Sequence, residues 1–191
     1  MKVVRVILYI VFAFILVSMV IFGYYGGFKK IRFEQEPAGG ETLVYMEAKG
    51  DYAGSGNIMD MVFYGLKDRY GIEATRGFGI YYDNPVTTEP DQRRYEAGCV
   101  VEGLDSAQKA ALEAEFKVRE LPVQDCVVGA FPLKGKPSVI MGVIRVYPAM
   151  ENYMKKNELI ERFGPVMEIY DYRARKIFYR VMLLPDPADE L

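Results

Sequence analysis

Glu168 is the residue whose neighbours in the sequence most favour chemistry. It lies in residues 166–172, a short run of apolar and aromatic residues that predicts a β-strand. Side chains alternate between the two faces of a strand, so Glu168 shares a face with Val166, Tyr170 and Tyr172. A carboxylate among such neighbours is partly desolvated, and its pKa rises unless it is ion-paired or well hydrogen-bonded.

Three interpretations of this carboxylate remain open at the level of the residues. It could bind a cationic ligand between aromatic rings, because the faces of such rings attract cations. It could act as a general acid or base, a role that depends on a shifted pKa. Alternatively, Glu168 is structural, and is hydrogen-bonded to the backbone or ion-paired with Arg180 across a hairpin.

Two other tyrosines are candidates for the same site. Tyr82 shares a face with Phe78 and Ile80 at the end of a predicted strand, and Tyr147 lies on the apolar side of a predicted helix. Each belongs either to the core or to a pocket wall, because tyrosine combines an apolar ring with one polar hydroxyl. The predicted ligand-binding residues are Glu168, Tyr170, Tyr82 and Tyr147.

The composition excludes several kinds of active site. The chain contains no histidine, which rules out Ser-His-Asp and Cys-His catalysis and any metal site that uses imidazole. The two cysteines, Cys99 and Cys126, form no Cys-x-x-Cys motif and are predicted to be buried thiols. A disulfide between them is the alternative in an oxidising compartment. We expect no metal, no cofactor and no catalytic residue.

Charge and aromatic content narrow the class of protein further. The formal net charge of the chain is −2, which argues against a general nucleic-acid binder with a basic surface stripe. We therefore expect no nucleic-acid partner. The 15 Tyr and 11 Phe residues suit both a packed core and an aromatic ligand pocket.

The N-terminal part of the chain predicts a membrane anchor. Residues 6–28 carry no charge, and a helix of about 23 residues at about 1.5 Å per residue can cross a hydrocarbon layer of about 30 Å. A cleaved signal peptide is the alternative interpretation. Its apolar region would span only about 7–15 residues and would be followed by an A-x-A cleavage site, which is not found here.

Basic residues on either side of the apolar run bear on its orientation. Lys2 and Arg5 precede the run, whereas Lys29, Lys30 and Arg32 follow it. The excess of one cation after the run weakly favours a cytoplasmic position for the rest of the chain. The predicted segments are a transmembrane anchor over 1–28, a stalk over 29–41, one domain over 42–185 and an acidic tail over 186–191.

The domain sequence predicts the element order strand–helix–strand–strand, given twice. The first round has a strand over 42–49, a helix over 57–70 that begins with a capping box of Asn57 and Asp60, and strands over 78–82 and 94–102. The second has a long strand within 118–131, a helix over 139–156 kinked at Pro148, and a hairpin of 166–172 with 176–184. We predict an α+β fold in which two strand–helix–strand–strand repeats place antiparallel sheets around a central cleft, preceded by one transmembrane helix.

Three segments of the chain resemble a known family. The sequences GIYYDNP at 79–85, RRYEAGCVVEG at 93–103 and GPVMEIYD at 164–171 are similar to those of the GyrI-like, effector-binding family. The resemblance covers about residues 42–184 and implies two repeats around a ligand cleft. It also implies a role for Glu168. In the pattern formed with Pro165 and Tyr170, Glu168 falls where effector-binding relatives carry a buried acidic residue that faces cationic aromatic ligands.

These observations lead to one functional hypothesis and two alternatives. The hypothesis is a membrane-anchored GyrI-like module that binds a small molecule, with cationic aromatic compounds as the favoured class, or a protein partner, without catalysis. One alternative is a hydrolase that detoxifies reactive electrophiles with Glu168 and a tyrosine, as some GyrI-like relatives do. The other is a pure protein-interaction adapter whose cleft is filled by its own side chains. An open aromatic cleft that ends at Glu168 would favour binding or hydrolysis.

Overall fold

The computed structural model describes residues 2–186. Its first element is α1 (Lys2–Tyr24), a helix with no buried residue along its 23 residues. This helix is long and apolar enough to cross a membrane, although an N-terminal signal sequence would have the same character. Of the predicted acidic tail, only Asp186 belongs to the described residues, and its carboxylate lies 3.9 Å from a guanidinium nitrogen of Arg162.

Eight strands follow and form one antiparallel sheet. They are β1 (Phe33–Ala38), β2 (Thr42–Lys49), β3 (Arg76–Tyr81), β4 (Arg94–Val101), β5 (Lys117–Glu120), β6 (Gln124–Pro132), β7 (Phe163–Asp171) and β8 (Lys176–Leu183). Their order across the sheet is β1-β6-β8-β7-β3-β4-β2-β5. The predicted α+β class is therefore confirmed.

The two predicted repeats are present as two halves of this sheet. The first is β2–α2–β3–β4, in which α2 is Ser55–Tyr70, and the second is β6–α4–β7–β8, in which α4 is Lys136–Lys156. The halves meet where β3 pairs with β7 at the centre of the sheet. The strands on either side of this seam follow in matching order, so the two halves are related by an approximate twofold arrangement.

Two short links force the sheet to curl. The link over 39–41 joins β1 and β2, and the link over 121–123 joins β5 and β6, although each pair of strands lies near opposite edges of the sheet. Four residue steps reach at most about 14 Å, so both edges must come close together. The links meet, since the N–H of Gly40 donates to the Leu121 carbonyl and the N–H of Leu121 donates to the Glu41 carbonyl.

At both links, the structure differs from the sequence prediction. The segment predicted as a stalk contains β1, which pairs with β6 from Phe33↔Gly129 to Ala38↔Gln124. The long strand expected within 118–131 is instead two strands, β5 and β6, that pair with different partners. The interruption falls at Pro122, because proline has no N–H to donate to a sheet.

The helices α2 and α4 lie on one face of the sheet. The buried residues of α2 include Val62 and Leu66, which pack with Val44 and Cys99 of the first half. The capping box predicted for Asn57 and Asp60 is wrong. The helix begins two residues earlier, after a short 3-10 turn whose start is capped by the Asp51 side chain.

The second helix matches its prediction more closely. It runs through Pro148 without ending, and buries Gly142, Val146, Met150 and Met154. A third, short helix, α3 (Ser106–Leu112), begins with a capping box formed by Asp105 and Gln108.

The opposite face of the sheet carries its own apolar core. Phe78, Ile80, Met167 and Ile169 of the two central strands are buried there, and Leu121 of the second link packs against them. The curl of the sheet and the crossing links therefore enclose this face, whereas a cleft remains open between the two helices on the other.

Candidate ligand-binding site

The cleft between α2 and α4 is the main candidate site. Its volume is about 2080 Å³, larger than the roughly 300–1,000 Å³ typical of small-molecule pockets. The N-terminal turn of α2 forms one wall, α4 forms the other, and β3 and β7 form the floor. The cleft is not filled by side chains of the protein, which is the arrangement that favours ligand binding over a filled adapter.

The pairing of the central strands places Glu168 in the floor. Glu168 of β7 lies opposite Gly79 of β3 and Tyr179 of β8. Paired residues of antiparallel strands point to the same face, so Glu168 faces the helices. Gly79 provides space beside it, because a Cβ atom at this position would come within 2.6 Å of the Tyr81 hydroxyl.

Two tyrosine hydroxyls hold the Glu168 carboxylate. Tyr147 of α4 donates to Oε1 at 2.6 Å, and Tyr170 of β7 donates to Oε2. The alternative ion pair with Arg180 is not formed, since Arg180 contacts Glu41 at 2.7 Å. The structure thus brings together three of the four predicted site residues: Glu168, Tyr147 and Tyr170.

Burial has the largest effect on the pKa of Glu168. Glu168 is 3% exposed. Loss of water raises the pKa of Glu168 above its ordinary value, and the hydrogen bonds from Tyr147 and Tyr170 lower the pKa only in part. Among the described residues, no cationic side chain forms an ion pair with Glu168. When Glu168 is ionised, it is therefore a buried negative charge that only hydroxyl dipoles stabilise.

Two more tyrosines complete a polar cluster around Glu168. The hydroxyl of Tyr81 lies 3.0 Å from that of Ser55 at the start of α2, and Tyr179 packs edge-on against Tyr147. Burial, followed by the negative charge of Glu168, raises the pKa of Tyr81 and Tyr179. All these hydroxyls therefore stay protonated at neutral pH and can act as hydrogen-bond donors.

The walls of the cleft are aromatic and apolar. Tyr52 packs against Tyr81 with ring centroids 4.8 Å apart, next to the floor. On the opposite wall, α4 presents Ile140, Val143 and Ile144, which are each about half to two-thirds exposed and line the cleft. A ligand that enters would cover these side chains, which contribute little to the core of the free protein.

Tyr82, the fourth predicted site residue, borders the cleft, but its hydroxyl is not bonded to Glu168. It follows β3 on the side of Phe78 and Ile80, and its hydroxyl donates to Oε1 of Glu96 at 2.7 Å. Glu96 also forms an ion pair with Arg119 at 2.6 Å. Although part of Tyr82 borders one end of the cleft, its polar group belongs to a separate cluster beneath the sheet.

Tyr81, Tyr52, Ser55 and Tyr179 were missed by the sequence analysis. For Tyr81 a signal was present. Gly77 and Gly79 alternate with Phe78 and Ile80, so the face without side chains is the open one, and Tyr81 continues that face. Tyr52 and Ser55 have no comparable signal, because only the fold brings the turn before α2 to the end of β3.

The arrangement combines the groups that recognition of a cation requires. The floor supplies one buried carboxylate, the surrounding hydroxyls fix it, and the rings offer faces that attract positive charge. Within residues 2–186, no group of three or more carboxylates and thiols converges in a way that could hold a metal ion.

Comparison with known proteins identifies relatives of this fold. The family model described as GyrI-like small molecule binding domain matches residues 29–179. Testis-expressed protein 264 of Homo sapiens is 34% identical over 101 residues, which represent 50% of this chain and 32% of the human protein. The match thus spans about a third of that relative.

Solved structures show the same architecture at low sequence identity. The EcmrR-DNA complex, known from cryo-EM, superposes with a TM-score of 0.55 at 9% identity, over 90% of this chain and 65% of that chain. The structure of SAV2435 bound to tetraphenylphosphonium superposes with a TM-score of 0.50 at 12% identity, over 83% and 96% of the two chains. Together with the family match over most of its length, this shared fold shows that the chain belongs to the GyrI-like small molecule binding domain family.

Proposed function

We propose that this protein is a membrane-anchored, non-catalytic module whose cleft binds a small aromatic cation at Glu168. The observation that carries the proposal is a buried carboxylate at the floor of an open aromatic cleft, with hydroxyl donors and, within residues 2–186, no cationic partner. A charge in this position is costly unless it is neutralised. A bound cation would supply the missing countercharge, and the rings of Tyr52 and Tyr81 would contact its apolar surface.

The chemistry of one structural neighbour is consistent with this proposal. SAV2435 has been solved with tetraphenylphosphonium, a cation whose charge is surrounded by four aromatic rings. Such a compound combines the two properties that the cleft could recognise, delocalised positive charge and a large aromatic surface. The size of the cleft would accommodate it, with space left for water or for a larger natural ligand.

The membrane part of the proposal depends on α1. Its length, its apolar surface and its lack of buried residues are those of an anchor that remains in place. We propose that the domain faces the cytoplasm. Val86 is 90% exposed, so Val86→Cys provides a site for a membrane-impermeant thiol reagent. The reagent should label permeabilised cells only, and labelling of intact cells would refute this orientation.

Titration with tetraphenylphosphonium tests the cleft. With the full chain in uncharged detergent, Glu168→Gln is expected to weaken binding by about 1–3 kcal/mol, because a charge-assisted contact is lost. Glu96→Gln is a control on the other face of the sheet, since Glu96 is also a buried, hydrogen-bonded carboxylate. Its folding is checked first, because this substitution weakens the ion pair of Glu96 with Arg119. Partitioning of tetraphenylphosphonium into detergent is the same for the parent protein and the two variants, so it cancels in the comparison.

A neutral probe separates charge recognition from general apolar binding. Triphenylphosphine oxide has similar rings without a net charge, so its affinity should be nearly the same for the parent protein and Glu168→Gln. An unchanged tetraphenylphosphonium affinity in Glu168→Gln would remove this residue from the site. Absence of binding by the folded parent protein would overturn the proposal that the cleft binds aromatic cations.

A further inference from the structure

A group of exposed basic residues surrounds the point where α1 meets the domain. We call it the basic collar; it consists of Lys29, Lys30, Arg32, Lys134, Arg173 and Arg175. The first three follow α1 directly, and the others lie on two turns at the same end of the sheet. These six residues are a quarter of the 24 cationic side chains in a chain whose net charge is −2.

Several contacts fix the collar to the base of α1. Gly26 lies so close to the Phe131 ring that a Cβ atom there would be 2.7 Å from it. The ammonium group of Lys134 stands 4.2 Å from the centre of the Tyr24 ring. Arg145 of α4 donates to the carbonyl of Lys29 at 3.3 Å. The helix therefore leaves the domain at a defined place and is not joined to it by a free linker.

The turn that carries Arg173 and Arg175 adjoins the same place. The N–H of Leu133 donates to the Arg175 carbonyl at 2.9 Å, which puts this turn beside Lys134. The register of β6 and β8 supports the placement, since Pro132 pairs with Lys176. Asp171, the carboxylate at the start of the turn, already accepts the N–H of Ala174 at 2.7 Å.

The cations of the collar are not ion-paired in the part of the chain that the structure describes. Within the described residues, none of its six cations forms an ion pair with a carboxylate, whereas eight ion pairs are found elsewhere. Unpaired cations next to a membrane-spanning helix are attracted by the negative surface potential of anionic lipids. The anchoring proposed above would keep them within a Debye length of that surface.

We propose that the basic collar binds the headgroups of anionic lipids in the leaflet from which α1 emerges. Because this inference depends on the proposed anchoring, it concerns the same membrane and no separate partner. Tyr24, Lys134, Tyr172 and Arg175 also line one end of the cleft. Binding of the collar to lipid therefore places this end of the cleft at the lipid surface, where apolar cations accumulate.

A single tryptophan can report the contact, because the natural chain contains none. Tyr172→Trp places it on the collar turn, and Val123→Trp places it on the link between β5 and β6; each parent side chain is 65% exposed. The six-residue strand β1, about 20 Å long, separates the second position from the anchor side. Val123→Trp is therefore the matched control.

The measurement is energy transfer from tryptophan to a dansyl-headgroup lipid, with the full chain in lipid nanodiscs. Transfer from Tyr172→Trp should rise several-fold when phosphatidylserine replaces part of the phosphatidylcholine, whereas transfer from Val123→Trp should not change. High salt, or Lys134→Glu combined with Arg173→Glu, should abolish the rise. Equal transfer in both lipid compositions, or a rise that survives charge reversal, would overturn the proposal.

Two further arms separate the remaining explanations. Inorganic phosphate should reduce the transfer no more than chloride at the same ionic strength; a selective effect of phosphate would assign the collar to soluble anions and overturn the lipid proposal. A chain that does not remain with the nanodiscs refutes anchor and collar together. A chain that remains with the nanodiscs but shows no response to lipid charge refutes the collar alone. The tetraphenylphosphonium titration in detergent still tests the cleft independently.

Discussion

If the cleft binds a cation as proposed, the proton on Glu168 links that binding to pH. Burial raises the pKa of this carboxyl, and hydrogen bonds from Tyr147 and Tyr170 offset only part of that rise. A bound cation favours the ionised carboxylate over the neutral acid. Binding therefore releases a proton wherever the free site is still protonated.

We accordingly expect the affinity for tetraphenylphosphonium to increase with pH. Below the raised pKa of Glu168, up to one proton leaves for each cation bound, so Kd falls by at most about tenfold per pH unit. Above that pKa the dependence disappears. Titrations at several pH values measure the slope, and Glu168→Gln should give a flat profile. The same slope in that variant would assign the proton to another group.

The same pKa shift predicts how pH affects stability. Between the ordinary pKa of a glutamate in the unfolded chain and the raised pKa of folded Glu168, the folded state binds more protons than the unfolded state. The contribution of this group to stability is therefore present at low pH, is lost as pH rises through that window, and stays lost above it.

Glu168→Gln should remove this dependence. Above the window, the variant is expected to unfold at a higher temperature than the parent protein, and at low pH the two should be similar. Thermal unfolding followed by near-UV circular dichroism at several pH values checks this. A variant that is less stable at every pH would mean that the hydrogen bonds of the carboxylate outweigh the cost of its burial.

The site residues show which parts of the site can be predicted from strand alternation and which cannot. Alternation alone assigned Glu168 and Tyr170 to one face, and helical spacing assigned Tyr147 to the apolar side of its helix. The choice between Tyr81 and Tyr82 is harder, because both faces of β3 suit a core interpretation when glycine alternates with large apolar residues. The pairing of Gly79 with Glu168, together with the Tyr81 hydroxyl lying over Gly79, places Tyr81 beside the carboxylate.

At the level of elements, the contact of α4 with β8 is unusually close. Tyr179 points its hydroxyl at Gly142 of α4, and this buried hydroxyl has no hydrogen-bond partner among the described residues. A Cβ atom at Gly142 would overlap the hydroxyl, whereas the ring carbon that carries it would remain 3.3 Å away. The Tyr179 hydroxyl therefore occupies the space that a side chain at position 142 would need.

A double-mutant cycle tests this contact. Gly142→Ala should destabilise the domain by about 1–3 kcal/mol through overpacking. Tyr179→Phe removes the unpaired hydroxyl and should leave stability unchanged or raise it by about 1 kcal/mol. The double variant should recover most of the loss, which thermal or chemical unfolding can measure. Additive effects of the two substitutions would show that they do not share this contact.

The elements differ in how well the sequence predicted them. The helix α4 and the closing hairpin follow from local signals, namely helical spacing in the first case and two β-rich runs around a short turn in the second. The strand β1 was missed because it is an edge strand rich in polar residues and glutamate, which are exposed, and only its pairing with β6 stabilises it. The separation of β5 from β6 likewise depends on partners distant in sequence.

At the scale of the whole molecule, the crossing links unite the two halves. Glu41 of the first link forms an ion pair with Arg180 of β8 at 2.7 Å, and Glu96 of β4 pairs with Arg119 of β5 at 2.6 Å. Since β4 and β8 occupy corresponding positions in the two repeats, each half has one such pair. Both pairs are largely buried, and removal of a single partner would leave an uncompensated charge.

The domain boundary is therefore best tested by truncation. A fragment that begins at residue 29 retains β1 and Glu41, whereas one that begins at residue 42 loses both, exposes the edge of β6 and leaves Arg180 without its carboxylate. We expect the shorter fragment to unfold at a lower temperature and to self-associate through the exposed edge, as size-exclusion chromatography would show. Glu41→Gln in the longer fragment separates the two causes, because it weakens the ion pair but keeps the strand. Equal stability and a monomeric state for both fragments would show that β1 is dispensable and that the domain begins at residue 42.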